Sequence, residues 1–445
     1  MPNVATPTEV RQIALCKEGS RGTAEVTPNA YLSLTKDSAM DFTTKLIENM
    51  QIYGLNARLP SFAGQQGAKG SFKTPVRAQN VGEFINMCFG PAASSTVQNY
   101  VTVVLNTNDF IDFTVGAGSQ VHAQIAPGVY PLGATSADVG SYLKAVKTAM
   151  ELVAGGSTYT NTLSSGNMVI TQNASTFVIN GATGTNKAKT ALTNMGFALV
   201  DTTGAIAQTG TLGGVIAPYK HTFTTGQYTQ LPSYTFYIDR GAFNAGVKDI
   251  KQYNLGCLEK LKFSGANDQP VEMDATLVAQ KEAAFPGVWT PAYSESSVLM
   301  FNNSTVKVAG AASSVPNVKN WSVEFDPSVK EYRPLSQTQY PQDFLAAGPF
   351  LASGDMTVYF MDEVERAKFL AVTQTSLEFL IAGGAVGNSS SNYTLDVLLP
   401  SVEYEAFPFK DEDGFLGASV KWRARYSATS AFVAQAYIIN SKTSY

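Results

Sequence analysis

Charge, histidine and cysteine are all scarce in this 445-residue chain. Charged residues make up 15% of it, against roughly 25% in a typical soluble protein. Ser, Thr, Asn, Gln, Gly and Ala fill the shortfall, giving a neutral polar surface suited to strands and turns. Thirty-one basic residues stand against 35 acidic ones, a formal net charge of −4, so no global basic field recruits nucleic acid. Cys16, Cys88 and Cys257 are odd in number and far apart, with no C-x-x-C pair. Neither a zinc site nor a disulfide framework is expected. The start, MPNVATPTEVRQIALCKEGS, lacks a basic segment followed by an apolar core, and no apolar run reaches the length of a membrane helix. The expectation is a soluble protein made in the cytoplasm, without a secretory signal or a membrane span.

Two histidines leave little room for acid–base chemistry. His122 sits in VHAQI and His221 in YKHTFTTG, each read as a polar strand residue rather than a catalytic one. There is no G-x-S-x-G elbow, no H-E-x-x-H and no Walker loop; GATGTNKAK at 181–189 lacks the phosphate-loop spacing. Glu403 and Glu405 share one strand face at i, i+2, where a solvated face is the simpler reading than an acid–base pair. No catalytic residue, cofactor or metal is expected.

What is present is strand alternation and one sharp change of composition. Residues 98–231 contain no arginine and only ten charged residues, five of each sign, which marks a separately folded insert. Within it DFIDFTVG, SQVHAQI, MVITQ and STFVINGA read as strands. Ser136 is placed to cap a helix with Val139, Leu143, Val146, Met150 and Val153 on one face, stopped at Gly155-Gly156. NKAKTALTNMGF reads as a short second helix. Outside the insert, the chain repeats itself. AKGSFKTPVRAQNVGEFINMCFG (68–90) and ASGDMTVYFMDEVERAKFLAVTQ (352–374) both read as strand then short helix, with Gly70 to Phe84 matching Gly354 to Phe369 within one residue. Downstream, SYTFYID is matched with NYTLDVLLP, each followed by a hairpin. VEMDATLVAQ alternates Val271, Met273, Ala275 and Leu277 against Glu272, Asp274 and Thr276. LGASVKWRARYS alternates Leu416, Ala418, Val420 and Trp422 against Ser419, Lys421, Arg423 and Arg425. One face is buried and the other polar, as in an antiparallel sandwich. The spans 36–69 and 326–353 read as long loops that order against a partner.

These segments resemble the tail tube proteins of long-tailed, non-contractile bacteriophages. EGSRGTA (18–24) is similar to the Glu-x-x-x-Gly-Thr stretch near the start of many of them. KGSFKTPVRAQNVGEFINMCFG resembles their Gly–strand–short helix–Gly segment. NVKNWSVEFDPSVKEYRPLSQTQYPQDFLAAGPFLASGDMTVYF resembles their central strand, loop and strand, and NYTLDVLLPSVEYEAF their closing segment. The resemblance covers 1–97 and 232–445; the insert is similar to small α+β modules fused within phage structural proteins.

The resemblance implies a mainly β fold, duplicated antiparallel β-sandwich or barrel tube modules with short helices, plus a small α+β insert. The expected divisions are 1–97 (an arm and the first part of module A), 98–231 (insert), 232–297 (the rest of module A) and 298–445 (module B). It implies a structural virion protein that self-assembles into stacked rings, a conduit for genome ejection. The expected partners are copies of itself in trimeric pseudo-hexameric rings, a tail terminator, a tape measure and tail-tip proteins. DNA passes through without specific binding. Glu272, Asp274, Glu403 and Glu405 are the channel-lining candidates. A carbohydrate-binding or adhesion protein is the alternative, resting on the Thr/Ser/Asn surface and on Trp289, Trp321 and Trp422, though Trp321 and Trp422 lie in alternating strands and read as core.

Overall fold

The structure, a computed structural model, describes residues 12–32, 38–47, 61–97, 100–132, 135–164, 167–210, 218–243, 247–293, 298–309, 317–335, 338–386, 389 and 391–445. It is mainly β and antiparallel. Its α-helices among these residues are α1 Val81–Phe89, α2 Tyr142–Val153 and α3 Val364–Leu370.

The main body consists of two halves with the same pairing scheme. In the first, Gln12–Lys17 pairs with Tyr234–Phe243, which pairs with the leading part of the long strand Val247–Ala266. Lys281–Ala284 flanks that same leading part. The trailing part of the long strand pairs with Glu272–Ala279, that with Phe62–Pro75, and that with Ala39–Ile47. In the second half, Ser304–Val308 pairs with Thr375–Ala385, and that with the leading part of Asn392–Ala406, flanked by Gln435–Asn440. The trailing part of Asn392–Ala406 pairs with Phe415–Ala424, that with Leu351–Tyr359, and that with Val318–Asp326. Six pairings match six pairings, in the same chain order.

The match extends to single residues. Register shifts fall between Leu258 and Lys260 in one long strand and between Tyr404 and Ala406 in the other. Gly70 lies opposite Leu277 and Met40, and Gly354 opposite Trp422 and Val323. A Cβ on Gly70 would overlap the Ala39 carbonyl, and one on Gly354 the Ser322 carbonyl. Both positions therefore require glycine for close strand approach. SYTFYID has its structural counterpart in Thr375–Ala385, not in NYTLDVLLP, which opens the second long strand. The spans 36–69 and 326–353 are not plain loops: each contains strand structure, Ala39–Ile47 with Phe62–Pro75 and Val329–Tyr332 with Asp343–Ala346.

Alternation sets the core. Val271, Met273, Ala275 and Leu277 are buried, as are Ala418, Val420 and Trp422; Leu416, at the hairpin tip, is 55% exposed. Trp321 and Trp422 are almost fully buried and both pack against Phe379, with centroids 4.8 and 6.0 Å away. Each such side chain contributes roughly 1.5–3 kcal/mol by burial. One hydrophobic cluster runs through both halves.

Near its middle, Val247–Ala266 is pinned by the chain start. Leu255 has φ 49, a left-handed conformation unfavourable for a branched residue. The buried Glu18 carboxylate accepts the Leu255 N–H at 2.7 Å, the Gly22 N–H at 2.7 Å and the Ser233 hydroxyl at 2.6 Å. Arg21 reaches the other half, donating to Asp343 Oδ1 at 2.7 Å and the Phe344 carbonyl at 2.6 Å. The EGSRGTA segment thus holds the kink of one half and ties it to the other.

The insert has a core of its own. Its buried cluster runs from Val101 to Phe197 and shares no residue with the main one. The strand Tyr219–Thr224, inside the expected insert span, pairs with Ala93–Thr96 and with Gln435–Asn440, and so belongs to the main body. These two stem strands leave and re-enter the body side by side, with the Val97 N–H on the Pro218 carbonyl at 2.8 Å. The insert helix begins later than expected. Ser141, not Ser136, caps α2 by accepting the Lys144 N–H at 3.1 Å, while Val139 is 94% exposed. Ser136 is buried and accepts the Asn161 N–H at 3.0 Å. NKAKTALTNMGF forms two 3₁₀ turns, Lys187–Lys189 and Leu192–Met195, rather than a helix.

Three outcomes follow. Glu18→Ala leaves four donors, the three above and the Thr235 hydroxyl at 3.2 Å, without their acceptor and should lower stability by about 2–4 kcal/mol in denaturant titration. Joining Val97 to Pro218 through a two-residue turn should leave a folded main body, seen as an unchanged β-type circular dichroism spectrum with a cooperative melt. Burial pushes the Asp396 carboxyl up to about 7, with Glu378 adding to the rise. The folded state then binds the extra proton between about pH 4 and 7, so this group's stabilisation is full below pH 4 and is lost as pH rises through 7. Asp396→Asn should flatten that decline in a pH series of thermal melts.

Candidate functional surface

The two halves share a seam. The trailing part of Val247–Ala266 pairs on its second side with Val318–Asp326, Leu261 opposite Phe325 and Phe263 opposite Val323. Eight strands thereby form one continuous run: Ala39–Ile47, Phe62–Pro75, Glu272–Ala279, Val247–Ala266, Val318–Asp326, Leu351–Tyr359, Phe415–Ala424 and Asn392–Ala406. One face carries the core. The other is polar, because successive side chains in a strand point to opposite faces.

Register draws the charges of the polar face into a row. Lys73 lies opposite Asp274, Asp274 opposite Lys262, Lys262 opposite Glu324, Glu324 opposite Ser353, Ser353 opposite Arg423, and Arg423 opposite Glu403. Three positive and three negative side chains alternate, interrupted once by serine. Ion pairs link neighbours: Lys73–Glu272 at 3.0 Å, Lys260–Glu324 at 2.7 Å, Arg423–Glu405 at 3.1 Å and Arg425–Glu403 at 2.8 Å. Hydrogen bonds from Arg425 and Gln374 hold the Glu403 carboxyl below the usual range.

All four acidic residues singled out in the sequence, Glu272, Asp274, Glu403 and Glu405, stand on this face. Arg423 and Arg425 are legible in the sequence as polar-face residues, but their pairing with these acids, and the part played by Lys73, are not, because cross-strand register is invisible in a one-dimensional pattern. The sole available signal was alternation of charge with apolar residues in each strand.

Other groups are engaged structurally. His221 is buried, with Nδ1 2.7 Å from the Ser94 hydroxyl and Nε2 2.9 Å from the Lys442 carbonyl; desolvation lowers its pKa. His122 Nδ1 lies 2.7 Å from Asp112 in the insert. Trp289 donates to Gln12 Oε1 at 3.0 Å and packs edge-on against Tyr31. With Trp321 and Trp422 in the core, the three tryptophans offer no shared platform for a sugar ring. Among the described residues, no group of three or more His, Cys, Asp or Glu is placed to hold a metal.

A family model for phage tail tube proteins matches residues 8–424. The chain belongs to that family. It is a structural component of a phage virion. None of the curated proteins matches the sequence.

Exposed cross-strand ion pairs contribute little to folding. Glu272→Gln and Glu324→Gln should each change the unfolding free energy by less than about 1 kcal/mol. Trp422→Ala, on the opposite face of the same sheet, should cost about 3–5 kcal/mol. Parallel denaturant titrations distinguish the two faces.

Proposed function

We propose that this tail tube protein belongs to a long-tailed, non-contractile phage, and that its copies close into rings stacked as a conduit for genome ejection. The eight-stranded sheet carries the reading: its two ends, Ala39–Ile47 and the Phe407–Glu412 segment that continues Asn392–Ala406, each have a strand on one side and none on the other among the described residues, and a long open edge is an aggregation hazard unless neighbours use it. Each chain supplies two tube modules, 30–97 with 232–285 and 298–445. Three copies then make a pseudo-hexameric ring. Tail terminator, tape measure and tail-tip proteins complete the tail, and the protein is made in the host cytoplasm.

The polar sheet face lines the channel. DNA bears one negative charge per about 1.7 Å, and a basic wall would hold it through counterion release. A face of alternating sign, screened within about 10 Å at ordinary salt, lets DNA slide. Glu272, Asp274, Glu403 and Glu405 neutralise the lysines and arginines there. The insert lies on the outside, since a separately packed module has no room in a bore that passes duplex DNA.

Averaged end-on electron micrographs of the purified protein should show rings with three chains and six inner lobes; six chains per ring would refute the two-module argument. Changing Glu272, Asp274, Glu403 and Glu405 together to lysine should make assembled tubes retain duplex DNA in co-sedimentation, with binding that falls steeply with salt. Retention by the unaltered tube would overturn the lining assignment.

A further inference from the structure

The seam inside the chain is a template for a second seam that the chain leaves open. Leu261–Ala266 takes Asn320–Phe325 as its neighbour. The equivalent segment of the second half is Phe407–Glu412: Phe263 faces Met273 as Phe409 faces Ala418, each the same distance beyond its register shift. On one side this segment pairs with Phe415–Ala424. On the other it has no strand among the described residues. Its backbone is turned that way. The Pro408 carbonyl accepts the Ser419 N–H at 3.0 Å, so Phe407 and Phe409, alternating with it, aim their N–H and C=O groups at the open side. Proline's missing N–H falls on the paired side, leaving the open edge fully competent.

The counterpart of Val318–Asp326 in the first half is Ala39–Ile47, whose outer edge also has no strand partner among the described residues. A second observation points to the same place. α1 is covered along most of its length by Tyr445 beside Gly82 and Lys442 on Glu83, and at its end Phe89 packs on Phe325 and Phe350 at 5.0 and 5.3 Å, from the other half. Its counterpart α3 has no buried residue. Val364, Leu370 and the adjoining Val372 are 56, 65 and 68% exposed. Phe42 holds the sheet position of Phe325, opposite Ala68 as Phe325 is opposite Ala352.

We propose that Ala39–Phe42 of a second copy pairs antiparallel with Phe407–Lys410. Phe42 stands opposite Phe407, Met40 opposite Phe409 and Ala39 opposite Lys410, and the α3 side is covered by the incoming strand. Asp41 then lies diagonal to Lys410, a favourable charge pairing. The contact is head-to-tail, joining unlike edges, so it propagates until a ring closes. This rests on the reading that copies assemble into a tube.

Ala39 and Lys410 form a non-hydrogen-bonded pair in this register, about 4.5 Å between Cα atoms, within disulfide reach. Ala39→Cys and Lys410→Cys proteins, mixed, assembled and oxidised, should give a two-chain band on a non-reducing gel, at least about tenfold stronger than either protein alone, since Cys88 and Cys257 are buried and Cys16 is half-buried. Ala39→Cys with Glu412→Cys should not cross-link. In the unaltered protein, amide exchange at Phe407 and Phe409 should slow at least about tenfold on assembly. Rings that form without the first cross-link, or with the second, or with unchanged exchange at these amides, overturn the seam and leave the tube reading standing. Failure of the unaltered protein to form any ring or tube overturns both.

Discussion

A twenty-residue strand is about 65 Å long when extended, farther than one small sheet can pair. Val247–Ala266 resolves this by serving two sheets, and the transfer happens where Leu255 adopts its left-handed backbone. That conformation persists only because surrounding groups over-determine it. Glu18 supplies the decisive contact, a buried carboxylate accepting the Leu255 N–H together with donors from Gly22, Ser233 and Thr235. The leading part of the strand then builds the Gln12–Lys17 sheet, and the trailing part builds both the polar sheet and the seam to the second half. Arg21, three residues on, fixes the Val329–Tyr332/Asp343–Ala346 hairpin through Asp343 and Phe344. A short stretch near the chain start therefore sets the geometry of a body assembled from residues hundreds of positions away.

Much of this was legible one strand at a time. Period-two alternation at 271–277 and 416–422 gave the buried face at every position but Leu416, which stands exposed at the hairpin tip, and the charge-poor stretch contains a buried cluster that shares no residue with the main one. Gly70 and Gly354 were recognisable as a matched pair from their place in the repeated strand–helix segments, and the structure supplies the reason: close strand approach requires glycine at both. Pairing partners were not legible. SYTFYID and NYTLDVLLP look alike as alternating strands, yet one occupies the middle of its sheet and the other begins a strand shared by two. The distinction lies in neighbours far away in sequence. Likewise the stem strand Tyr219–Thr224 carries the insert's composition but the main body's hydrogen bonds. Ser136 and Ser141 compete as caps on equal sequence terms, and the turn around Val139 decides between them. The row from Lys73 to Glu403 needed six registers to become visible.

Strand edges and surface charge act together in the proposed assembly. Edge strands usually carry lysine, proline or a bulge to discourage pairing. The outer edge at Phe407–Glu412 does carry a proline and a lysine, but Pro408 faces inward along the backbone and Lys410 stands where Asp41 of a neighbour can meet it. Features that would block an edge in a monomer thus select one partner. Alternating charge on the face is what we propose leaves the same sheet indifferent to a polyanion. Specificity lies at the edges, and neutrality lies on the face.

The insert shows how a body built on register tolerates a large addition. Lengthening a connection costs little entropy once its ends are held together. Here the ends are held by Ala93–Thr96 against Tyr219–Thr224, a strand pair whose final rung is Val97 to Pro218. Whatever lies between contributes its own core from Val101 to Phe197 and draws nothing from the main cluster. The stems do more than anchor it. Tyr219–Thr224 also pairs with Gln435–Asn440 of the second half, so the first half reaches across to the second here as well as through the seam. The two halves are therefore bound by strand pairing at two levels. The stem pair belongs to the architecture of the body, and the module beyond it shares no buried core residue with that body.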